Sequence, residues 1–157
     1  MQKANISLTL LLTVLVGCAS TNVISNDLTG QEIKHKYSKL QSFIYTFENE
    51  EQDGALTDTY VEIYRVNNQE CAIVGRTFGD SGAGGSETLI FFKNRKLLSA
   101  TLRPFGILGL KDDGIKSTNP NEVAYSEPFP SDEVKSMLET SFNGYLKKLN
   151  KNTLSKC

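Results

Sequence analysis

Tyr60-Val61-Glu62-Ile63-Tyr64-Arg65-Val66, Asn67-Asn68 and Cys71-Ala72-Ile73-Val74-Gly75-Arg76-Thr77-Phe78 stand almost end to end in this chain of 157 residues. The two outer runs are rich in β-branched and aromatic side chains, which suit a pleated, half-buried surface. The asparagines between them tolerate the positive φ that a tight hairpin turn demands. Upstream, Phe43, Tyr45 and Phe47 alternate with Ser42, Ile44 and Thr46. Downstream, Thr88 to Lys93 and Leu97 to Leu102 repeat the strand composition, with Asn94-Arg95 as the turn between them. The pattern predicts five antiparallel strands in a meander.

Helices are expected on either side of this sheet. Thr29-Gly30-Gln31-Glu32 fits a capping box, in which the Thr hydroxyl and the Glu carboxylate satisfy backbone donors at a helix start. Ile33, Tyr37, Leu40 and Ile44 follow at helical spacing, which predicts an amphipathic helix over roughly residues 30–41. From Ser131 onward, Val134, Leu138, Ser141/Phe142, Tyr145 and Leu149 form one apolar stripe. Asp132 and Glu133 at its start and Lys147, Lys148 and Lys151 near its end complement a helix dipole. This second helix should pack its stripe on the sheet, and the tail to Cys157 should fold back toward Cys71. The expected architecture is α+β, with residues 29–157 as a single globular domain.

Residues 1–18 carry a different signal. Lys3 precedes an uncharged apolar stretch from Ile6 to Val16, and Leu15-Val16-Gly17-Cys18 closes it. The stretch is shorter than the about 20 apolar residues a membrane helix needs, and its anatomy is that of a signal peptide. Leu15-Val16-Gly17-Cys18 resembles the lipobox of bacterial lipoproteins. The resemblance implies cleavage before Cys18, diacylglycerol on its sulfur and an acyl chain on its amine, and hence attachment to a lipid bilayer. Several chains at about 0.8 kcal/mol per buried methylene make such an anchor effectively permanent. Ala19 stands where an Asp usually retains lipoproteins in the inner membrane, so the resemblance implies the outer membrane and a periplasm-facing domain. Residues 18–28 are mostly polar and read as a flexible tether.

Loss of residues 1–17 removes Lys3 from 17 Lys+Arg set against 18 Asp+Glu, taking the formal charge from −1 to −2. This balance carries no general attraction to nucleic acid. Cys71 and Cys157 are then the thiols that accompany Cys18, and an oxidising envelope compartment favours their pairing.

Catalytic chemistry finds little support. Gly79-Asp80-Ser81-Gly82 resembles the nucleophile segment of trypsin-like serine proteases, with His35 upstream, but Ala83-Gly84-Gly85 follows where that family continues Gly-Pro. His35 lies on a predicted helix between Lys34 and Lys36, without the carboxylate that a triad uses to orient its base. The segment reads as a glycine-rich connection between strands. One His and two cysteines expected to be oxidised make no zinc set. Asp53-Gly54 and Asp112-Asp113-Gly114 lack the ligand alternation of a calcium loop, and no phosphate-cradling loop is present. No enzyme activity, cofactor or small-molecule substrate is expected.

Pro104, Pro120, Pro128 and Pro130 all fall in one segment, read as a long ordered loop. Its apolar stretch from Phe105 to Leu110, including Ile107, either docks on the core or offers a partner-binding patch. In a meander, the 49–58 and 79–86 connections and the segment after Leu102 share one end of the sheet. Glu48, Glu50, Glu51, Asp53, Asp58, Asp80 and Glu87, with Asp112 and Asp113, would make that end acidic, while Arg65, Lys93, Arg95 and Lys96 flank the opposite turns. The acidic end reads either as a solvated face or as a pole steering a basic protein partner. Two functions follow: a lipoprotein that neutralises a periplasmic hydrolase or toxin, as inhibitors and immunity proteins do, or a structural accessory in envelope assembly that uses an exposed sheet edge.

Overall fold

The computed structural model describes residues 28–49, 55–107 and 123–157. Helix α1 (Gly30–Lys36) leads into strands β1 (Ser38–Asn49), β2 (Ala55–Asn67), β3 (Glu70–Phe78), β4 (Gly84–Lys93), β5 (Lys96–Ile107) and β6 (Val123–Tyr125), and helices α2 (Ser131–Lys148) and α3 (Lys151–Lys156) follow. The strands form one antiparallel sheet in sequence order, β1-β2-β3-β4-β5-β6. The meander is therefore as expected, with a sixth strand added.

Local signals account for much of this. The capping box at Thr29 is complete, with its hydroxyl accepting from the Glu32 N–H and the Glu32 carboxylate accepting from the Thr29 N–H. The helix is much shorter than the predicted 30–41 span, because Tyr37 is already extended and Ser38 pairs with Arg65 of β2. Leu40 and Ile44 thus belong to β1, where cross-strand pairing overrides their helical spacing. Asn94 and Arg95 have φ of 49° and 61°, the paired left-handed conformation of a type I′ turn. The β2–β3 turn falls one residue later than predicted, on Asn68-Gln69, with Gln69 at φ 68°.

The expected long loop from Pro104 to Pro130 is corrected at both ends. Pro104 to Ile107 continue β5, and Val123 to Tyr125 pair back on it as Ile107↔Val123 and Phe105↔Tyr125. Asp112, Asp113 and Pro120 lie outside the described residues. The tail beyond Leu149 is not a simple return but a second short helix, whose start Asn150 caps by accepting from the Thr153 N–H at 2.8 Å.

A period of two sends alternate residues to opposite faces. On one face, the cross-strand row Ile63↔Ile73↔Ile90 makes the core, and Phe142, Tyr145 and Leu149 of the α2 side pack against it. Gln41 ties this layer down: its amide donates to the Lys148 carbonyl at 3.0 Å, and its oxygen accepts from the Asn150 N–H at 3.1 Å. Cys71 and Cys157 form a disulfide across 86 residues of sequence, and the Asn94 N–H donates to the Cys157 carbonyl at 2.7 Å. The other face has a smaller core in which Ile33 of α1 meets Tyr64, Ala72, Val74, Leu89 and Phe91. Among the described residues, no helix is long and apolar enough to cross a membrane.

Replacing both Cys71 and Cys157 by Ala should lower unfolding stability by about 4 to 5 kcal/mol, the chain-entropy value for a loop of this size. Urea titration of the oxidised protein against the double variant measures the difference. A change below about 1 kcal/mol would show that the cross-link does not restrain the unfolded chain as that account requires.

Candidate protein-binding face

The face bearing α1 is only partly covered by the described residues. Its best-ordered row runs Ile44↔Tyr60↔Arg76↔Glu87↔Arg103 across β1 to β5, and it changes character midway. Ile44 and Tyr60 are about half exposed, whereas Glu87 has no exposed surface.

Burying a carboxylate is costly unless it is fully paired, and Glu87 is. One oxygen accepts from the Gly30 N–H at 2.7 Å. The other accepts from Arg76 Nε at 2.9 Å and from the Tyr125 hydroxyl at 2.8 Å. Arg76 also donates to the Tyr125 hydroxyl at 2.8 Å. Burial alone would lower the Arg76 pKa, but the Glu87 charge outweighs it and raises the value. Burial, reinforced by the Glu87 charge, pushes the Tyr125 hydroxyl up to about 12. Gly30 is required here because a Cβ would overlap the Glu87 carboxylate.

The next row is aromatic. Phe78↔Gly85↔Phe105↔Tyr125 are register partners, and the missing side chain at Gly85 lets Phe78 and Phe105 meet edge to face at 5.4 Å. Tyr60 extends the series to Phe78 at 5.9 Å, and Tyr125 closes it on Phe105 at 6.5 Å. Four rings thus lead from the bare part of the sheet to the Glu87 cluster. Arg76 stacks over Phe105 at 5.6 Å and Arg103 over Tyr125 at 5.8 Å.

Beside this row lies an open groove of about 430 Å³, bordered by Ile44, Tyr60, Arg76, Phe78 and Lys34. Leu56, the most exposed large apolar side chain, continues the strip along β2. Glu62 marks the polar rim, holding Lys34 at 2.5 Å and Lys39 at 3.0 Å. Burial opposes ionisation of Glu62, but hydrogen bonds from the two lysines overcome it and bring its pKa to about 2. The arrangement, an apolar strip bounded by charges and backed by a buried cluster, is one that can take up another macromolecule.

Strand β1 is the sheet edge beside this strip. Residues 42–47, Ser-Phe-Ile-Tyr-Thr-Phe, contain no charge, Gly or Pro. Such an edge presents backbone donors and acceptors to an added strand.

The chain matches no family model, and no curated protein or solved structure is significantly similar to it.

The residues singled out from the sequence fare differently. Cys18, Glu50, Glu51 and Asp53 lie outside the described residues. Asp80 is exposed in the β3–β4 turn, and Ile107 ends β5 opposite Val123. Glu87 does not belong to the acidic end, because its charge is consumed inside the sheet face. Asp58 is engaged as well, accepting from the Thr46 hydroxyl at 2.6 Å. In the glycine-rich connection, the Ser81 hydroxyl accepts from the Ala83 N–H at 3.2 Å, and Gly82 takes φ 66°. The exposed strip escaped the sequence reading, although Ile44 between Phe43 and Tyr45 was a signal: an apolar residue on each phase of an edge strand.

Glu87→Gln keeps the shape but leaves the Arg76 charge largely buried without its counter-ion. It should cost roughly 3 to 5 kcal/mol, whereas Tyr125→Phe should cost about 1 kcal/mol, both read from urea unfolding. Equal losses would contradict a charge-centred cluster.

The depressed Glu62 pKa has a defined pH signature. Its stabilisation is complete above pH 4.5 and is lost as pH falls toward about 2, where the folded carboxylate gains its proton. Thermal melts over this window should decline less steeply for Glu62→Gln than for the unaltered protein. Parallel declines would refute the paired state.

Proposed function

We propose that this chain is a lipid-anchored envelope lipoprotein whose periplasm-facing domain binds a protein partner, in the manner of inhibitors and immunity proteins that neutralise a hydrolase or toxin. The observation that carries the reading is the exposed strip of Ile44, Leu56, Tyr60 and Phe78 beside the uncharged 42–47 stretch of the β1 edge. An extended segment of a partner would gain main-chain hydrogen bonds from β1 and bury apolar side chains in the adjoining groove. Tyr60, backed by Phe78, is the natural anchor, since aromatic side chains seated at the centre of a contact carry a large share of binding energy. The anchor and location rest on the resemblance of Leu15-Val16-Gly17-Cys18 to a lipobox, with Cys18 acylated and Ala19 favouring the outer membrane.

A basic partner steered by acidic residues gains less support than the apolar strip. Of the acidic-end positions whose side chains are described, Glu87 is buried, whereas Asp58, which accepts from the Thr46 hydroxyl, and Asp80 in the β3–β4 turn are exposed. Capture should therefore depend more on apolar contact than on ionic strength.

The full-length chain, carrying a photo-crosslinking amino acid in place of Tyr60, should trap one discrete protein in living cells. Ile44→Lys should abolish that product while leaving the melting temperature within about 2 °C, because Ile44 is a surface position. Fatty-acid labelling of the same cells should mark the unaltered chain and fail for Cys18→Ala. Retention of the crosslink in Ile44→Lys would overturn the strip as the contact surface, and a labelled Cys18→Ala chain would overturn the anchor.

A further inference from the structure

The face that carries α2 is not apolar throughout. The core row Ile63↔Ile73↔Ile90 gives way, two rows toward the Gly79–Ala83 turn, to Tyr45↔Thr59↔Thr77↔Ser86, in which every side chain ends in a hydroxyl. Between these rows lies Val61↔Gly75↔Thr88, and the Tyr145 hydroxyl packs over the bare backbone of Gly75. Packing alone gives no reason for this change, because an amphipathic helix passing over a sheet is best satisfied by apolar residues beneath it.

Here α2 and the sheet enclose a cleft of about 360 Å³, within the size range of small-molecule sites. Its floor is the hydroxyl row, and Met137, Thr140 and Ser141 of α2 form the roof. Phe47 and Met137, both substantially exposed, stand at the mouth. Among the described residues the lining carries no charged side chain. The floor is organised: the Thr59 and Thr77 hydroxyls lie 2.7 Å apart, beside the buried Tyr145. Burial pushes the Tyr145 hydroxyl up to about 12, so it remains protonated at neutral pH. Tyr45 meets Tyr145 edge to face at 5.1 Å.

We propose that this cleft is a binding site for an uncharged sugar unit. Three features select that class. A charged ligand would leave water without a counter-ion in the described lining, a penalty the site does not offset. A purely hydrocarbon ligand would strip water from the partly exposed Thr77, Ser86 and Thr88 without replacing their hydrogen bonds. A pyranose has hydroxyls that both donate and accept, matching side chains that do the same, and C–H faces that lie against the Tyr45 and Phe47 rings. The cleft is on the opposite side of the sheet from the Ile44–Tyr60 strip, so sugar and protein partner would not compete directly.

The test is a titration of the folded domain, followed through the methyl resonances of its methionines and threonines. Probes are methyl glucoside, the disaccharide of N-acetylglucosamine, and octanol as a mainly apolar control with a single hydroxyl. At least one sugar should produce saturable shifts at Met137, Thr59 and Thr77. Thr77→Val and Thr140→Val should each weaken that binding roughly three- to tenfold, whereas Thr46→Val, on the other face, should not. Thr140 is exposed on α2, so its variant reports on binding even if Thr77→Val unfolds. Absence of saturable shifts with both sugars, shifts with octanol alone, or equal affinity in Thr140→Val would each overturn the proposal.

Discussion

The Glu87 carboxylate joins three separate elements of the chain at one point. It receives the first N–H of α1, the guanidinium of Arg76 on β3 and the hydroxyl of Tyr125 on β6. A three-residue strand such as β6 is too short to hold itself in place by ladder bonds alone, and a seven-residue helix is marginal in isolation. Both are fixed by the same buried charge. Because an uncompensated carboxylate there would be strongly unfavourable, the three donors must arrive together, and the geometry of this face is set as one unit.

The two faces consequently obey different rules. On the α2 side, the rows around Ile63, Ile73 and Ile90 meet apolar side chains of the helix layer, and that part of the arrangement tolerates volume-conserving change. On the α1 side, a short helix covers Tyr64, Ala72, Val74, Leu89 and Phe91, and the rest of the face is held by directional contacts. Rigidity without complete cover is what a recognition surface requires, since a partner then meets side chains already in position. The four-ring series from Tyr60 to Tyr125 supplies that support from beneath.

How much of this was legible depended on range. The Thr29 capping box and the Asn94-Arg95 turn are complete within four residues, and each was read correctly from the chain. The apolar stripe Leu138, Phe142, Tyr145 and Leu149 has a single period, so it too was legible. Leu40 and Ile44 satisfy helical and strand spacing alike, and only pairing with β2 decides between them. Glu87 looked like one more surface acid, because its partners lie 57 residues upstream, 11 upstream and 38 downstream. The Ile44–Tyr60–Phe78 strip was hidden for a related reason: strand composition shows what a side chain is, but covering elements decide which face stays bare.

The position of the disulfide imposes an order in time. Cys157 lies 86 residues beyond Cys71, and β4, β5, β6, α2 and α3 all intervene. A chain made N-terminus first presents the Cys71 thiol long before its mate exists. During that interval the thiol is open to oxidants and to other thiols, and burial among Ile63, Ile73 and Phe92 of the sheet core is what withdraws it from them. Correct oxidation therefore depends on the sheet closing over Cys71 faster than stray thiols find it, a race between folding and chemistry that the native bond brings to an end.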